Sequence, residues 1–339
     1  MLSDAQLAQL APSCTVLSTV TQEDNEEAWL HNRTRGIGGS DVGSICGVNQ
    51  WSSARQVYFK KIGMYEDEMK PSAAAEERMH WGHMLEPVVA QEFESRHPDM
   101  QCVEAGATFY NNDVNYLLAN VDRFLVDRNG TIVGILECKT ANENLKSEWA
   151  EGEVPVSYYY QVQHYLHVTG LNQAWIACLV GGNKFFEYPI YYDMALYNKV
   201  IIPALKDFWE EHVKKCIEPD AMAADCDFYD TLFAPSNTKA EAVELQDESY
   251  DSICEQILWL KQDIKDREQK LKAMQATVKS ILGDNAYGMT DEHEISWLPR
   301  KRSTINTKAL RENFPEAYEA CLNTTEYRVL TIKRVNYDA

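Results

Sequence analysis

The sequence predicts an α/β protein, with a mixed central sheet flanked by helices, followed by a long C-terminal helix and a small α+β module. Three observations carry this. Short β-branched and apolar runs bounded by turn residues recur between residues 116 and 192. Apolar residues at helical spacing lie around and between them, at 81–97 and 158–170. From Ile253 to Ile281 the apolar residues then recur in steps of four and three.

In chain order, residues 1–25 are polar and acidic and read as a lead-in of weak structure. Residues 26–217 read as one domain. Near its start, Gly36, Gly38 and Gly39 lead into Ser40, Asp41 and an apolar helical pattern. A Gly-rich turn that opens a helix presents backbone N–H groups to an anion, although Ser40 is also a good plain N-cap. Arg33 and Arg35 stand just upstream, and a planar guanidinium binds phosphate bidentately. The run WGHMLEPVVAQEFESRH (81–97) has apolar residues at 81, 84, 85, 88, 89 and 93, with Glu86 inside it.

Residues 116–126 and 131–139 read as partner strands joined by Asp127-Arg128-Asn129-Gly130, a strong hairpin signal. YYYQVQHYLHVTG (158–170) reads as a helix ended by Gly170, with Gln161 and Tyr165 on one stripe. Strands at 174–181 and 185–192 are joined by Gly182-Asn183-Lys184, and a closing helix runs over 194–216. Residues 218–245 are acidic, Ala-rich and broken by Pro235, a linker pattern. The helix expected at 246–283 carries the heptad stripe, interrupted at Arg267, and reads either as a coiled coil or as a helix laid on its own domain. The tail, 284–339, is richer in Lys and Arg than in Asp and Glu from Ser296 onward. ISWLPRKR and EYRVLTIKRV read as strands around a helical stretch at 307–321, a module that would grip DNA or dock a partner. Trp297 and Tyr327 are available for stacking on bases, with core packing the plainer role for each.

Composition excludes several classes. The net charge of −20, from 52 acidic against 32 basic residues, argues against a protein that coats DNA nonspecifically. A DNA enzyme then depends on local positive charge, for which Arg33, Arg35, Arg55, Lys60, Lys61 and Lys146 are candidates. The nine cysteines form no CxxC pair, so a zinc or iron–sulfur cage is not expected. Cys138 and Cys178 lie in apolar strand patterns, which suits buried free thiols in a reducing cytoplasm. No apolar run approaches the ~18 residues of a membrane span, and the N-terminus lacks a basic region ahead of an apolar stretch. No GxxxxGK[ST] loop is present, and the glycine spacing at 36–39 is not that of a dinucleotide fold.

The chemistry concentrates at Asp122 and the LECKT run. Residues two apart on a strand share a face, so Glu137 and Lys139 project together and Cys138 faces the other way. With Asp122 on the adjacent strand or its end, two carboxylates and one ammonium converge. Two carboxylates and the backbone carbonyl of Cys138 suit a hard cation, Mg²⁺ or Mn²⁺. A lysine beside them would orient or deprotonate a water, or stabilise charge developing on a phosphate. Glu86 would be a further ligand, or a carboxylate favoured by its helix dipole. Gln161 would hold Lys139 or the attacking water, or be a surface amide. Asp122, Glu137 and Lys139 would otherwise form an ordinary cross-strand ion pair.

The ordered set W…R…GIGGSD, WGHMLEP, NVDRFLVD, LECKT and YYYQVQHYLHVTG resembles the YqaJ-like viral recombinase family, which belongs with lambda-type exonucleases in the PD-(D/E)XK nuclease superfamily. The likeness covers about residues 26–215. Val121 stands where the superfamily name has Pro. The resemblance implies a PD-(D/E)XK fold and a metal-dependent 5′→3′ exonuclease. It would degrade one strand of linear double-stranded DNA, leaving 3′ single-stranded tails for recombination by annealing. By position, Asp122 and Glu137 would ligate Mg²⁺, with Mn²⁺ substituting. Lys139 would activate the water, Glu86 would assist the metal site and Gln161 would position Lys139 or the nucleophile. Arg33 and Ser40 would hold the 5′-phosphate. The resemblance also implies a ring-shaped homotrimer threaded by DNA, an annealing-protein partner, and a phage- or prophage-encoded protein in the bacterial cytoplasm. The other readings are a structure- or sequence-specific endonuclease on the same core, and a catalytically silent DNA-binding scaffold of a recombination complex.

Overall fold

The computed structural model describes residues 1–21, 24–65, 70–150, 152–233, 241–245 and 247–335. Pro235 and residues 336–339, named above in the linker and tail, lie outside the described residues. The chain divides into two compact units, Met1–Leu232 and Phe233–Ala339.

The first unit opens with α1 (Asp4–Leu10) and β1 (Cys14–Ser18), where the sequence predicts weak structure. The reason is local capping and anchoring. The Ser3 N–H donates to Gln6 Oε1 at 2.9 Å, closing a capping box. Gln6 donates to the Gly130 carbonyl, and Gln9 donates to the carbonyl of Ile132 and accepts from its N–H, so polar residues pin the helix to a hairpin turn. Leu10 and Cys14 are buried in the core. Next come α2 (Glu26–Thr34), α3 (Gly39–Ile45), α4 (Ala54–Ile62) and α5 (Ala73–Arg96). α5 starts eight residues before the apolar stripe does. Ser72 caps it, and its first turns, AAAEERMH, are strong helix formers without an apolar face.

The strands are β2 (Met100–Glu104), β3 (Thr108–Asn111), β4 (Leu118–Ala119), β5 (Arg123–Asp127), β6 (Ile132–Ala141), β7 (Gln173–Val180) and β8 (Lys184–Tyr191), with α6 (Val156–Thr169) between β6 and β7. The main sheet runs β2-β5-β6-β7-β8. Only β6 and β7 are parallel, joined through α6, so the sheet is mixed, as expected from the sequence. The predicted partner strand at 116–126 is split: β4 belongs to a separate small sheet, β1-β3-β4, and β5 begins at Arg123.

The pleat sorts the β6 side chains. Ile135 joins Phe124, Ile176, Val162 and Leu166 in one core. Leu136 and Cys138 join Leu125, Val89, Ala90 and Phe93 in the other. Glu137 and Lys139, sharing the parity of Ile135, therefore face α6, while Cys138 faces α5. After β8, α7 (Met194–Leu196), a π-helical stretch Tyr197–Ile201, α8 (Ile202–Asp207) and a second, Phe208–Val213, follow one another as a helical run. α9 (Asp225–Leu232) ends the unit.

The second unit contains α10 (Glu248–Leu282), capped by Asp247 and followed by Gly283. A hairpin of β9 (Tyr287–Met289) and β10 (Glu294–Ser296) follows, then α11 (Thr307–Asn313) and α12 (Pro315–Ala320). Pro315 divides the helical stretch read at 307–321. The strand read at EYRVLTIKRV is absent: Tyr327 and Val329 alternate with Arg328 and, like Leu330, lie exposed. Alternation alone does not make a strand when no neighbouring strand takes up its backbone hydrogen bonds. Among the described residues no helix is long and apolar enough to cross a membrane.

Candidate active site

β6 brings the central groups together. Asp122 precedes β5, and its Oδ2 accepts the Cys138 N–H at 2.8 Å, which fixes it against β6. Lys139 Nζ donates to Glu137 Oε1 at 2.5 Å. Gln161, on the facing side of α6, donates to the same oxygen at 2.6 Å and to the Tyr165 hydroxyl at 3.2 Å. The Lys139 ammonium also lies 5.0 Å from the centre of the Tyr158 ring. Glu137 Oε1 is thus held twice, while Oε2 is buried and has no hydrogen-bond partner among the described residues.

Glu86 approaches from the other face of the sheet. Arg123 donates to Glu86 Oε1 at 2.6 Å and to the Asp122 carbonyl at 2.7 Å, and pairs with Glu104 at 3.2 Å. Sequence reasoning passed over Arg123. Its signal was a charge directly ahead of the apolar Phe124-Leu125-Val126 of β5, on the same parity as Leu125, which packs under α5.

The electrostatics describe a site short of positive charge. Burial, and then the Glu137 charge, push Asp122 up to about 7. Burial raises Glu137 against the pull of Lys139. Burial and Asp122 raise Glu86 against the pull of Arg123. Burial alone would lower Lys139, but Glu137 and Asp122 outweigh it and hold the ammonium charged well above its ordinary range. Burial and the same carboxylates keep the Tyr165 hydroxyl protonated.

This donor set fits a hard divalent cation. The partnerless Glu137 Oε2, Asp122 and the Cys138 carbonyl are oxygen donors in a pocket of excess negative charge. Among the described residues no three His, Cys, Asp or Glu side chains form a ready-made cage. Glu86, the third carboxylate, is engaged by Arg123.

Arg33 and Ser40 form a second cluster. Arg33 Nη2 donates to Ser40 Oγ at 2.7 Å, and its guanidinium lies over the Trp29 ring. Asp41 accepts the Gly38 N–H at 3.0 Å and pairs with Lys61 at 2.7 Å, and Lys61 also donates to the Arg33 carbonyl at 2.8 Å. Burial would raise Asp41, but Lys61 and Arg33 outweigh it and hold the acid ionised. Lys61, a candidate for local positive charge in the sequence, braces the glycine turn through Asp41 and the Arg33 carbonyl. Arg55 is likewise tied, to the Pro219 carbonyl and the Tyr229 hydroxyl.

The two clusters touch through Gly39. A Cβ there would stand 2.4 Å from the Tyr165 ring, so only glycine lets α3 lie against the ring whose hydroxyl accepts from Gln161. The structure thus unites Asp122, Glu137, Lys139 and Gln161, brings Glu86 in through Arg123, and sets Arg33 and Ser40 in an adjoining cluster.

Known proteins resemble this chain in part or nearly throughout. The family model of the YqaJ-like viral recombinase domain matches residues 28–172. The uncharacterised protein YqaJ of Bacillus subtilis (strain 168) is 32% identical over 318 residues, covering 93% of this chain and 96% of that protein. Among solved structures, an alkaline exonuclease from Laribacter hongkongensis aligns with a TM-score of 0.46 and 20% identity, over 56% of this chain and 94% of its own. A phage related exonuclease from Haemophilus somnus 129PT aligns with a TM-score of 0.35 and 11% identity, over 53% of this chain and 96% of its own.

Proposed function

The chain belongs to the YqaJ-like viral recombinase family, and on that premise we propose that it is a divalent-metal-dependent DNA exonuclease. It degrades one strand of linear double-stranded DNA from the 5′ end and leaves a 3′ single strand for recombination by annealing. The observation that carries this reading is the Glu137 carboxylate: one oxygen is held by Lys139 and Gln161, the other is buried without a hydrogen-bond partner among the described residues, and its charge acts on Asp122.

Asp122, Glu137 and the Cys138 carbonyl would hold Mg²⁺, with Mn²⁺ substituting. When bound, the cation supplies Lewis acidity and positive charge at the scissile phosphate. The chain's own groups do the rest. Gln161 fixes the Glu137 carboxylate. Lys139, kept as a cation by Glu137 and Asp122, orients the attacking water and stabilises negative charge growing on the phosphate. Arg123 holds Glu86 and the Asp122 backbone in place. Arg33 and Ser40 take the 5′-phosphate, the guanidinium by a bidentate contact. With a net charge of −20, DNA affinity rests on a few such contacts and falls steeply with salt. The same reading expects a ring-shaped trimer, an annealing-protein partner and action in the bacterial cytoplasm.

The test is linear duplex carrying a 5′-phosphate on one strand only, beside a covalently closed circle, with and without Mg²⁺. Metal-dependent loss of the phosphorylated strand, with the circle intact, is the expected outcome. A cut circle would convert the reading to an endonuclease. No cleavage of either substrate would convert it to a silent DNA-binding scaffold.

A further inference from the structure

We propose that α10 pairs with α10 of a second copy of this chain as an antiparallel two-stranded coiled coil. The helix carries a stripe in four-three steps, apolar except at Arg267: Ile253, Ile257, Leu260, Ile264, Arg267, Leu271, Met274, Val278 and Ile281. Ile264, Leu271, Met274 and Ile281 keep 56%, 56%, 61% and 78% of their surface exposed, while Ile257 is half-buried. In heptad terms Ile257, Ile264, Leu271 and Val278 form the a row, and Ile253, Leu260, Arg267, Met274 and Ile281 the d row.

The flanking residues choose both the occupant and its direction. Cys254, Lys261, Glu268 and Gln275 fall at e, and Gln256, Asp263, Lys270 and Thr277 fall at g. In a parallel pair g faces the following e of the other helix, which sets Asp263 against Glu268 twice, by symmetry. In an antiparallel pair e faces e and g faces g. One register puts Leu260 opposite Leu271, Ile257 opposite Met274, Ile253 opposite Val278 and Ile264 opposite Arg267. It also brings Lys261 beside Glu268 and Asp263 beside Lys270. Every charged flanking residue then meets its opposite, in both symmetry-related copies. Sliding by one heptad either way stacks like charges instead: Lys261 on Lys261 and Asp263 on Asp263, or Glu268 on Glu268 and Lys270 on Lys270. A helix self-complementary in one register fits a second copy of itself.

Arg267 is compatible with this seam. Its Nε donates to Asp263 of the same helix at 2.8 Å, which carries the guanidinium out of the row and leaves the aliphatic stem over the layer. At the far end, a groove of about 310 Å³ lined by Met274, Val278, Leu282, Ile295 and Trp297 continues the stripe between α10 and β10. In the stated register the residue facing it is Ile253 of the second copy.

The seam is tested on the full-length chain by mass measurement in solution with two charge variants. The seam joins chains of two different rings, so with the trimer expected above wild type is expected at six chain masses, and in any case at an even multiple. Lys261→Glu/Lys270→Glu and Asp263→Lys/Glu268→Lys, all surface changes checked for retained helix by circular dichroism, are each expected to halve it. Mixing the two variants restores it. A second measurement uses the native thiol: on treatment with an added thiol oxidant such as diamide, Gln275→Cys is expected to form an intermolecular disulfide with Cys254, the two electrons and two protons passing to the diamide, and the link is mapped by mass spectrometry. Within one helix those positions are ~30 Å apart. A wild-type mass at an odd multiple overturns the proposal. So does an unchanged mass for Lys261→Glu/Lys270→Glu, because a parallel seam keeps Asp263 against Glu268 whatever stands at 261 and 270. Failure of the Cys254 link overturns the register.

Discussion

The two units reverse the usual partition of side chains in opposite ways. In the first, Glu137, Asp122 and Lys139 are drawn into a buried site, with one carboxylate oxygen unpartnered. In the second, α10 turns Ile264, Leu271 and Ile281 outward to water. A buried polar atom without a partner is costly, and so is a long apolar stripe left wet. Each therefore marks a place where the proposals above put a missing partner: a cation in the first, a second helix in the other. The comparison teaches that the informative residues are those whose surroundings contradict their chemistry.

The sharpest way to break the first half of the comparison is to remove the charges. Glu137→Ala or Lys139→Ala is expected to lower cleavage by about 10³-fold or more, since both act where charge develops. DNA binding, measured by electrophoretic mobility, should survive. Full cutting by both variants would end the site assignment.

Arg123 offers the next largest effect. Arg123→Met leaves the Glu86 carboxylate half-buried without its partner at 2.6 Å. Breaking a buried pair on one side costs about 3 kcal/mol. A denaturation series with Glu86→Gln and the double variant should show most of that loss recovered in the double. Additive losses would mean that the pair is not coupled.

His164 sharpens the contrast through pH. It is fully buried, with Nδ1 3.1 Å from the Tyr197 hydroxyl and Nε2 3.0 Å from the Leu118 carbonyl, which suits the neutral ring. Burial pushes it from 6.5 down to about 4. On acidification the unfolded chain takes the proton first, so stability present above about pH 6.5 drains away as pH falls toward 4. The loss is about 3 kcal/mol at most, from ~1.4 kcal/mol per pH unit. His164→Gln should flatten that limb of the stability profile. An unchanged slope would show that His164 is not its source.

The smallest change expected comes from Gly39→Ala. The new methyl meets the Tyr165 ring, and overpacking of this kind costs ~1–3 kcal/mol. If the two clusters communicate through that ring, the variant loses some preference for a 5′-phosphate end as well as stability. A stability loss with that preference intact would confine the contact to packing.

How much of this was legible in the sequence follows from range. Glu137, Lys139 and Cys138 were sorted correctly by strand parity, because a strand encodes which side chains share a face. The hairpin at 127–130 and the αL glycine that ends α6 at Gly170 were equally local. The Arg123–Glu86 pair was hidden because it needs α5 packed on the sheet, 37 positions away. α1 and β1 were missed because capping and two glutamine anchors, not apolar period, hold them. The false strand at EYRVLTIKRV shows the converse: period without a neighbour is not structure. For α10 the stripe was plain from spacing, but its partner was not, because four-three spacing serves a seam and a helix laid on its own domain equally.

The most direct measurement for the central claim is calorimetric titration of Mg²⁺ and Mn²⁺ into the DNA-free protein, beside Glu137→Gln and Asp122→Asn. The account predicts saturable binding by wild type that is lost or greatly weakened in both variants, with their fold intact by circular dichroism. Equal binding by wild type and Glu137→Gln, or no binding by wild type, would contradict it.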